Sequence, residues 1–114
     1  MVFEKCFVGF KLSEEAQFVI EACLQAMSSQ ATTFIAVINE LNRNKGAGGE
    51  MFYIHLDTDR ELGGEPPFEF KGVCFEYDSD YSVTSRHDAE LILQRAICLM
   101  ALEEEFKNKQ IIQQ

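Results

Sequence analysis

Residues 68–84 read FEFKGVCFEYDSDYSVT, and their reading decides the fold. Two runs rich in aromatic and β-branched residues, 68–77 and 81–84, flank Asp78, Ser79 and Asp80, which are turn-forming types. The pattern predicts two antiparallel strands joined by a tight turn. Just upstream, residues 50–57 (EMFYIHLD) alternate, with Phe52, Ile54 and Leu56 on one side and Met51, Tyr53, His55 and Asp57 on the other. With this segment the stretch becomes a three-stranded meander. Residues 58–67, which hold Gly63-Gly64 and Pro66-Pro67, form the acidic loop between its first two strands.

Outward from the meander the periodicity turns helical. In residues 14–27, Ala16, Val19, Ile20, Cys23, Leu24 and Met27 form one apolar face. Ser13 is placed to cap that helix, and Glu14 and Glu15 occupy its first turn, where the helix dipole favours acids. A second helix is expected from about residue 30 to 44, with Gly46 as its left-handed cap. Whether Ser28, Ser29 and Gln30 break one helix or separate two is open at this level. Gly46-Ala47-Gly48-Gly49 reads as a linker and not a phosphate cradle, since a strand and not a helix follows it. Ser85 and Asp88 resemble a capping box. The last helix is expected over residues 86–109, burying Ala89, Ile92, Leu93, Ala96, Ile97 and Met100, with a fraying polar tail. Residues 2–10 fit a helical stripe and a strand equally well. The order helix, helix, meander, helix indicates an α+β fold: a small antiparallel β-meander packed against three to four α-helices, residues 1–114 forming one domain. One sheet face is expected under the helices and the other open to a partner.

Composition narrows the function classes. The chain has 114 residues, 46% of them apolar, a formal charge of −9 and a pI near 4.6. Nucleic acid is a poor direct partner for that charge. No apolar run approaches a membrane span, and no secretion signal is visible at the N-terminus, so the cytoplasm is the expected compartment. Cys6, Cys23, Cys74 and Cys98 form no close pair and sit among apolar residues. They are expected to be reduced packing residues, not disulfides or zinc ligands.

Catalytic apparatus is missing. His55, Asp57 and Asp59 share one face if the strand stays regular, which is a thin basis for a metal site; an exposed polar strand face is the simpler reading. Cys74 would face His55 only in one strand register, and no strained elbow or oxyanion loop accompanies it. The expectation is a non-enzymatic protein without catalytic residues, metal or cofactor.

The acids are distributed unevenly. Residues 57–80 hold eight (Asp57, Asp59, Glu61, Glu65, Glu69, Glu76, Asp78, Asp80) against two bases, Arg60 and Lys71. Phe68, Phe70, Phe75, Tyr77 and Tyr81 are interleaved with them. Solubility alone explains many acids. Acids beside bulky aromatics also match an interface with apolar anchors and a charged rim. The candidate contact residues are Asp57, Asp59, Glu61, Glu65, Phe68, Glu69, Glu76, Tyr77, Asp78, Asp80 and Tyr81. Glu103, Glu104 and Glu105 are a competing acidic face.

The chain resembles a known family along this same stretch. Phe70-x-Gly72-Val73-x-Phe75, an acidic turn, a strand containing Val83, and a helix with Leu91, Leu93, Ala96 and Leu99 look like the C-terminal half of ribonuclease-toxin immunity proteins of bacterial contact-dependent growth inhibition systems. The glycine-rich segment 46–53 and the acidic loop 57–65 are similar too. The resemblance covers about 60 residues well and implies a cytoplasmic antidote. Such an antidote binds a basic ribonuclease toxin domain of a secreted adhesin-type effector and blocks its RNA-cleaving site. It implies no catalytic residue and names no interface. Alternatives are an acidic inhibitor or adaptor for another basic protein, or a small metal- or ligand-binding domain built on His55, Asp57 and Asp59.

Overall fold

The computed structural model describes residues 3–28, 31–59 and 66–113. Helix α1 spans Glu14–Met27, α2 Ala31–Asn42 and α3 Arg86–Gln113. Strands β1 (Ala47–Gly48), β2 (Phe52–Leu56), β3 (Val73–Tyr77) and β4 (Asp80–Thr84) form one antiparallel sheet in the order β1-β2-β3-β4. The fold is α+β, as the pattern predicts. Residues 4–7, ambiguous in sequence, form a 3-10 turn that buries Cys6 and Phe7.

Local chemistry explains most boundaries. Ser13 stays extended and its hydroxyl accepts from Ala16 N at 3.1 Å, which starts α1 where the sequence places it. The expected buried face is present, with Val19, Ile20, Cys23, Leu24 and Met27 buried. Helix α2 stops differently from expectation. Asn44, not Gly46, takes the left-handed conformation, at φ 61. Lys45 N donates to Glu40 O at 2.9 Å and Asn44 N to Leu41 O at 3.0 Å, the paired bonds of a Schellman cap. Arg86 seals this end from the start of α3: its guanidinium donates to Asn44 Oδ1 at 2.8 Å and to the Leu41 carbonyl. A cation there also suits the helix dipole. Ser85 Oγ accepts from Asp88 N at 3.0 Å and caps α3, which runs to Gln113, past the expected end at 109.

Two strand expectations need correction. The glycine-rich linker contains β1, because Gly46 and Gly48 let its backbone come close to β2. A Cβ on Gly48 would stand 2.3 Å from Tyr53 Cδ2, and one on Gly46 2.8 Å from Ile54 O. The strand expected over 68–77 begins only at Val73. Gly72, at φ +94, turns the chain before it, and Phe68 and Phe70 leave the sheet. The β3–β4 turn is tight: Tyr77 pairs with Asp80, and Asp78 and Ser79 carry φ 48 and 69, the two positive values of a type I′ hairpin.

Strand register sorts side chains into two faces, because residues directly opposite each other share a face. Phe52, Tyr77 and Asp80 form one row, Ile54, Phe75 and Ser82 the next, and Leu56, Val73 and Thr84 the third. This face meets the helices. Ile54, Leu56, Val73 and Phe75 are fully buried in one core with Phe3, Ile20, Leu24, Met27, Phe34, Leu41, Ile92 and Leu93. The N-terminal turn is tied into it by Phe3 N donating to Glu21 Oε1, and by Arg95 donating to the carbonyls of Cys6 and Val8.

Candidate functional site

The second sheet face carries Tyr53, Glu76 and Tyr81 in one row and His55, Cys74 and Val83 in the next. It is less open than the topology suggested. His55 and Cys74 are 4% and 0% exposed. Phe68, thrown out of the sheet by Gly72, packs edge-on against Tyr81 with centroids 5.3 Å apart, and against Phe70 at 6.3 Å. Edge-to-face pairs of this kind add about 0.5–1.5 kcal/mol beyond area burial. Burial first, then the negative field of Glu76, raises the Tyr81 phenol above its ordinary range.

Three of the candidate acids bond inward. Asp57 Oδ2 accepts from Gly72 N at 3.0 Å while Asp57 N donates to Gly72 O at 3.1 Å, a reciprocal clamp at the end of the β2–β3 pair. Asp59 Oδ2 accepts from Gly46 N at 2.8 Å and holds the β1 segment. Glu76 Oε1 lies 2.6 Å from His55 Nε2. Each of these three carboxylates therefore has an internal partner. Charge-assisted bonds of this kind contribute about 1.5–3 kcal/mol. Glu69, Asp78 and Asp80 are exposed. Tyr77 packs against the core, while Phe68 and Tyr81 reach the surface, 38% exposed in the case of Phe68. Glu61 and Glu65 lie outside the described residues.

The structure adds acids that the sequence reading left out. Glu14 and Glu15 at the start of α1 line a cleft of about 590 Å³ with Asp80, Tyr81 and Val83. Phe18, on the same wall, is 68% exposed. It falls off the apolar stripe of α1, and an aromatic on the polar side was the signal in the sequence. One hairpin acid, Asp80, thus lines the same cleft as the α1 acids. A second groove, of about 430 Å³ along α3, is lined by Leu91, Leu99 and Leu102 with Lys5 and Arg95. Its bases have the wrong sign for a basic partner.

The chemical alternatives look different with geometry in place. His55 turns to Glu76, and Asp57 and Asp59 turn to backbone amides. Among the described residues no three His, Cys, Asp or Glu side chains come together as a metal site. Cys74 does stand directly opposite His55 in the β2–β3 register. Burial pushes its thiol up to about 12, the reverse of what an activated nucleophile needs. Among the described residues no helix is long and apolar enough to cross a membrane.

Comparison with family models, with curated proteins and with solved structures finds no match to this chain.

Proposed function

We propose that this chain is a protein-binding antidote: a cytoplasmic immunity protein that neutralises a cognate ribonuclease toxin by covering its basic RNA cleft. The single observation that carries this reading is the surface around the β3–β4 hairpin. Exposed Glu69, Asp78 and Asp80 lie in the hairpin and the segment leading to it, the same stretch that presents the Phe68–Tyr81 aromatic pair, on a chain of net charge −9. An RNA-cleaving enzyme must hold a polyanion, so its cleft is positive. Acids on the same stretch as an aromatic anchor take the place of phosphates there and speed encounter. No chemical step is asked of the antidote. The sequence resemblance to ribonuclease-toxin immunity proteins supports the same reading.

The experiment is co-expression with the C-terminal domain of the protein encoded immediately upstream, which this reading expects to be an adhesin-type effector, scoring growth and tRNA and rRNA integrity. Restored growth with intact RNA supports the reading. Growth arrest and RNA cleavage despite abundant antidote sink it. The same surface on an inhibitor of a different basic protein would give a stable complex with that protein and no protection of RNA.

A further inference from the structure

We infer that the cleft between the start of α1 and the free edge of β4 is a docking groove for an extended, lysine- or arginine-rich segment of the partner, which adds a strand to the sheet at β4. This rests on the reading of the chain as a binder of basic proteins and goes beyond it, by naming the groove and the conformation of what it holds.

Four observations converge on it. Strand β4 is the last of the sheet and pairs with β3 alone among the described residues. In a two-residue hairpin the closing pair, Tyr77 and Asp80, is hydrogen-bonded, and bonded pairs then alternate. Ser82 and Thr84 therefore bond to β3, while the N–H and C=O groups of Tyr81 and Val83 point away from the sheet. Asp80–Thr84 (DYSVT) contains no lysine and no proline, and its one charge, Asp80, stands at the hairpin end, away from Val83. Ser82 lines the cleft at 5% exposure, and its Oγ is buried without a hydrogen-bond partner among the described residues. Buried hydroxyls in a finished interior are paired, so this one marks an incomplete surface.

Charge and shape select the occupant. Glu14, Glu15 and Asp80 line the cleft, and among the described residues no base does. Phe18, 68% exposed, and Val83, 40% exposed, supply apolar contacts on its two sides. An added strand gains main-chain bonds from Tyr81 and Val83 and places alternate side chains against the acids. A basic helix would leave those edge groups unused.

The probe is a short end-capped peptide of alternating lysine and valine, titrated into the full-length protein and followed by amide NMR. We expect shifts and slowed hydrogen exchange at the Tyr81 and Val83 amides. The same peptide with glutamate for lysine should not bind. Val83→Pro removes an outward N–H without touching the β3 ladder, and proline is tolerated at such edge positions. It should weaken the peptide by about tenfold or more, as should the combined Glu14→Gln, Glu15→Gln, Asp80→Asn variant. Phe18→Ser, on an exposed helix position, provides a second variant should the proline disturb folding. Undiminished binding to Phe18→Ser and to the triple variant overturns the groove. So do shifts confined to the Glu69 and Asp78 end, absence of binding at millimolar peptide, or β4 edges already paired in a dimer of the free protein. Toxin neutralisation that survives all these variants overturns the groove and spares the antidote reading. Peptide capture at β4 without toxin neutralisation does the opposite.

Discussion

His55 and Glu76 face each other diagonally across β2 and β3, with Nε2 2.6 Å from Oε1 and the imidazole almost wholly buried. Tyr53 lies against the same imidazole, ring centroids 4.5 Å apart. A histidine that invites a metal or catalytic reading is thus occupied within the sheet. Its partner, one of the acids expected to face outward, is spent on keeping it there.

Removing one partner of a buried pair costs more than the pair contributes, because the other is left unsatisfied. Glu76→Ala should therefore lower unfolding free energy by roughly 1–3 kcal/mol, measured by urea titration. Glu76→Gln, which keeps an oxygen at that distance, should lose less than half as much. Equal losses would mean that the carboxylate charge, which the neutral amide lacks, is what holds His55.

Asp57 and Asp78 should separate stability from recognition. Asp57→Ala frees the Gly72 amide and should cost about 1–2 kcal/mol of stability. Asp78→Asn, which removes the charge and keeps a residue that tolerates φ 48, should change stability by less than ~0.5 kcal/mol. Toward a basic partner it should instead slow association and weaken the dependence of the rate on salt. Stopped-flow association at two ionic strengths beside thermal melts gives both readouts. Stable Asp57→Ala protein with slowed association would return Asp57 to the interface.

Backbone geometry gives two substitutions of opposite sign. Gly72 sits at φ +94, and a Cβ there would stand 2.3 Å from the Thr84 carbonyl oxygen. Gly72→Ala should cost at least ~2 kcal/mol, combining left-handed strain with a backbone clash. Ser79 is exposed at φ 69 in the hairpin turn. Ser79→Gly should stabilise by roughly 0.5–1 kcal/mol, since glycine adopts that conformation without strain. Denaturation midpoints of the two variants should move in opposite directions.

These same glycines show what was legible in the chain. The α1 stripe, its Ser13 cap and the meander turn were readable, because each rests on spacing within a few residues. The expected strand over 68–77 failed at Gly72, whose positive φ and close approach to Thr84 no local pattern announces. Strand β1 was invisible, since Ala47 and Gly48 carry no alternating pattern and pair only through the space glycine leaves beside Tyr53. The candidate site was legible as a charge excess but not as a surface. Which carboxylates bond inward follows from register and from backbone amides 13 and 15 residues away in sequence, at Gly46 and Gly72. Glu14 and Glu15 read as helix-start acids, and only the packing of α1 beside β4 brings them to the hairpin.

The thiols give a prediction in pH. Burial pushes Cys6 up to about 11 and Cys23 and Cys74 to about 12, from an ordinary value of 9.0. In the unfolded chain these thiols ionise near that ordinary value, whereas the folded protein keeps their protons. Above pH ~9 the folded state therefore binds more protons than the unfolded one, and stability falls as pH rises. The contribution is whole below the unfolded value and is lost progressively between about pH 9 and 12. Urea midpoints should decline across that window, and a variant with Cys23 and Cys74 both changed to Ala should decline less steeply. Reactivity follows the same division, because Cys98 alone of the four is exposed. A thiol reagent at neutral pH should label one cysteine quickly and the other three only on unfolding. Fast labelling of a second cysteine in the native protein would mean that the sheet or its helix cover opens on that timescale.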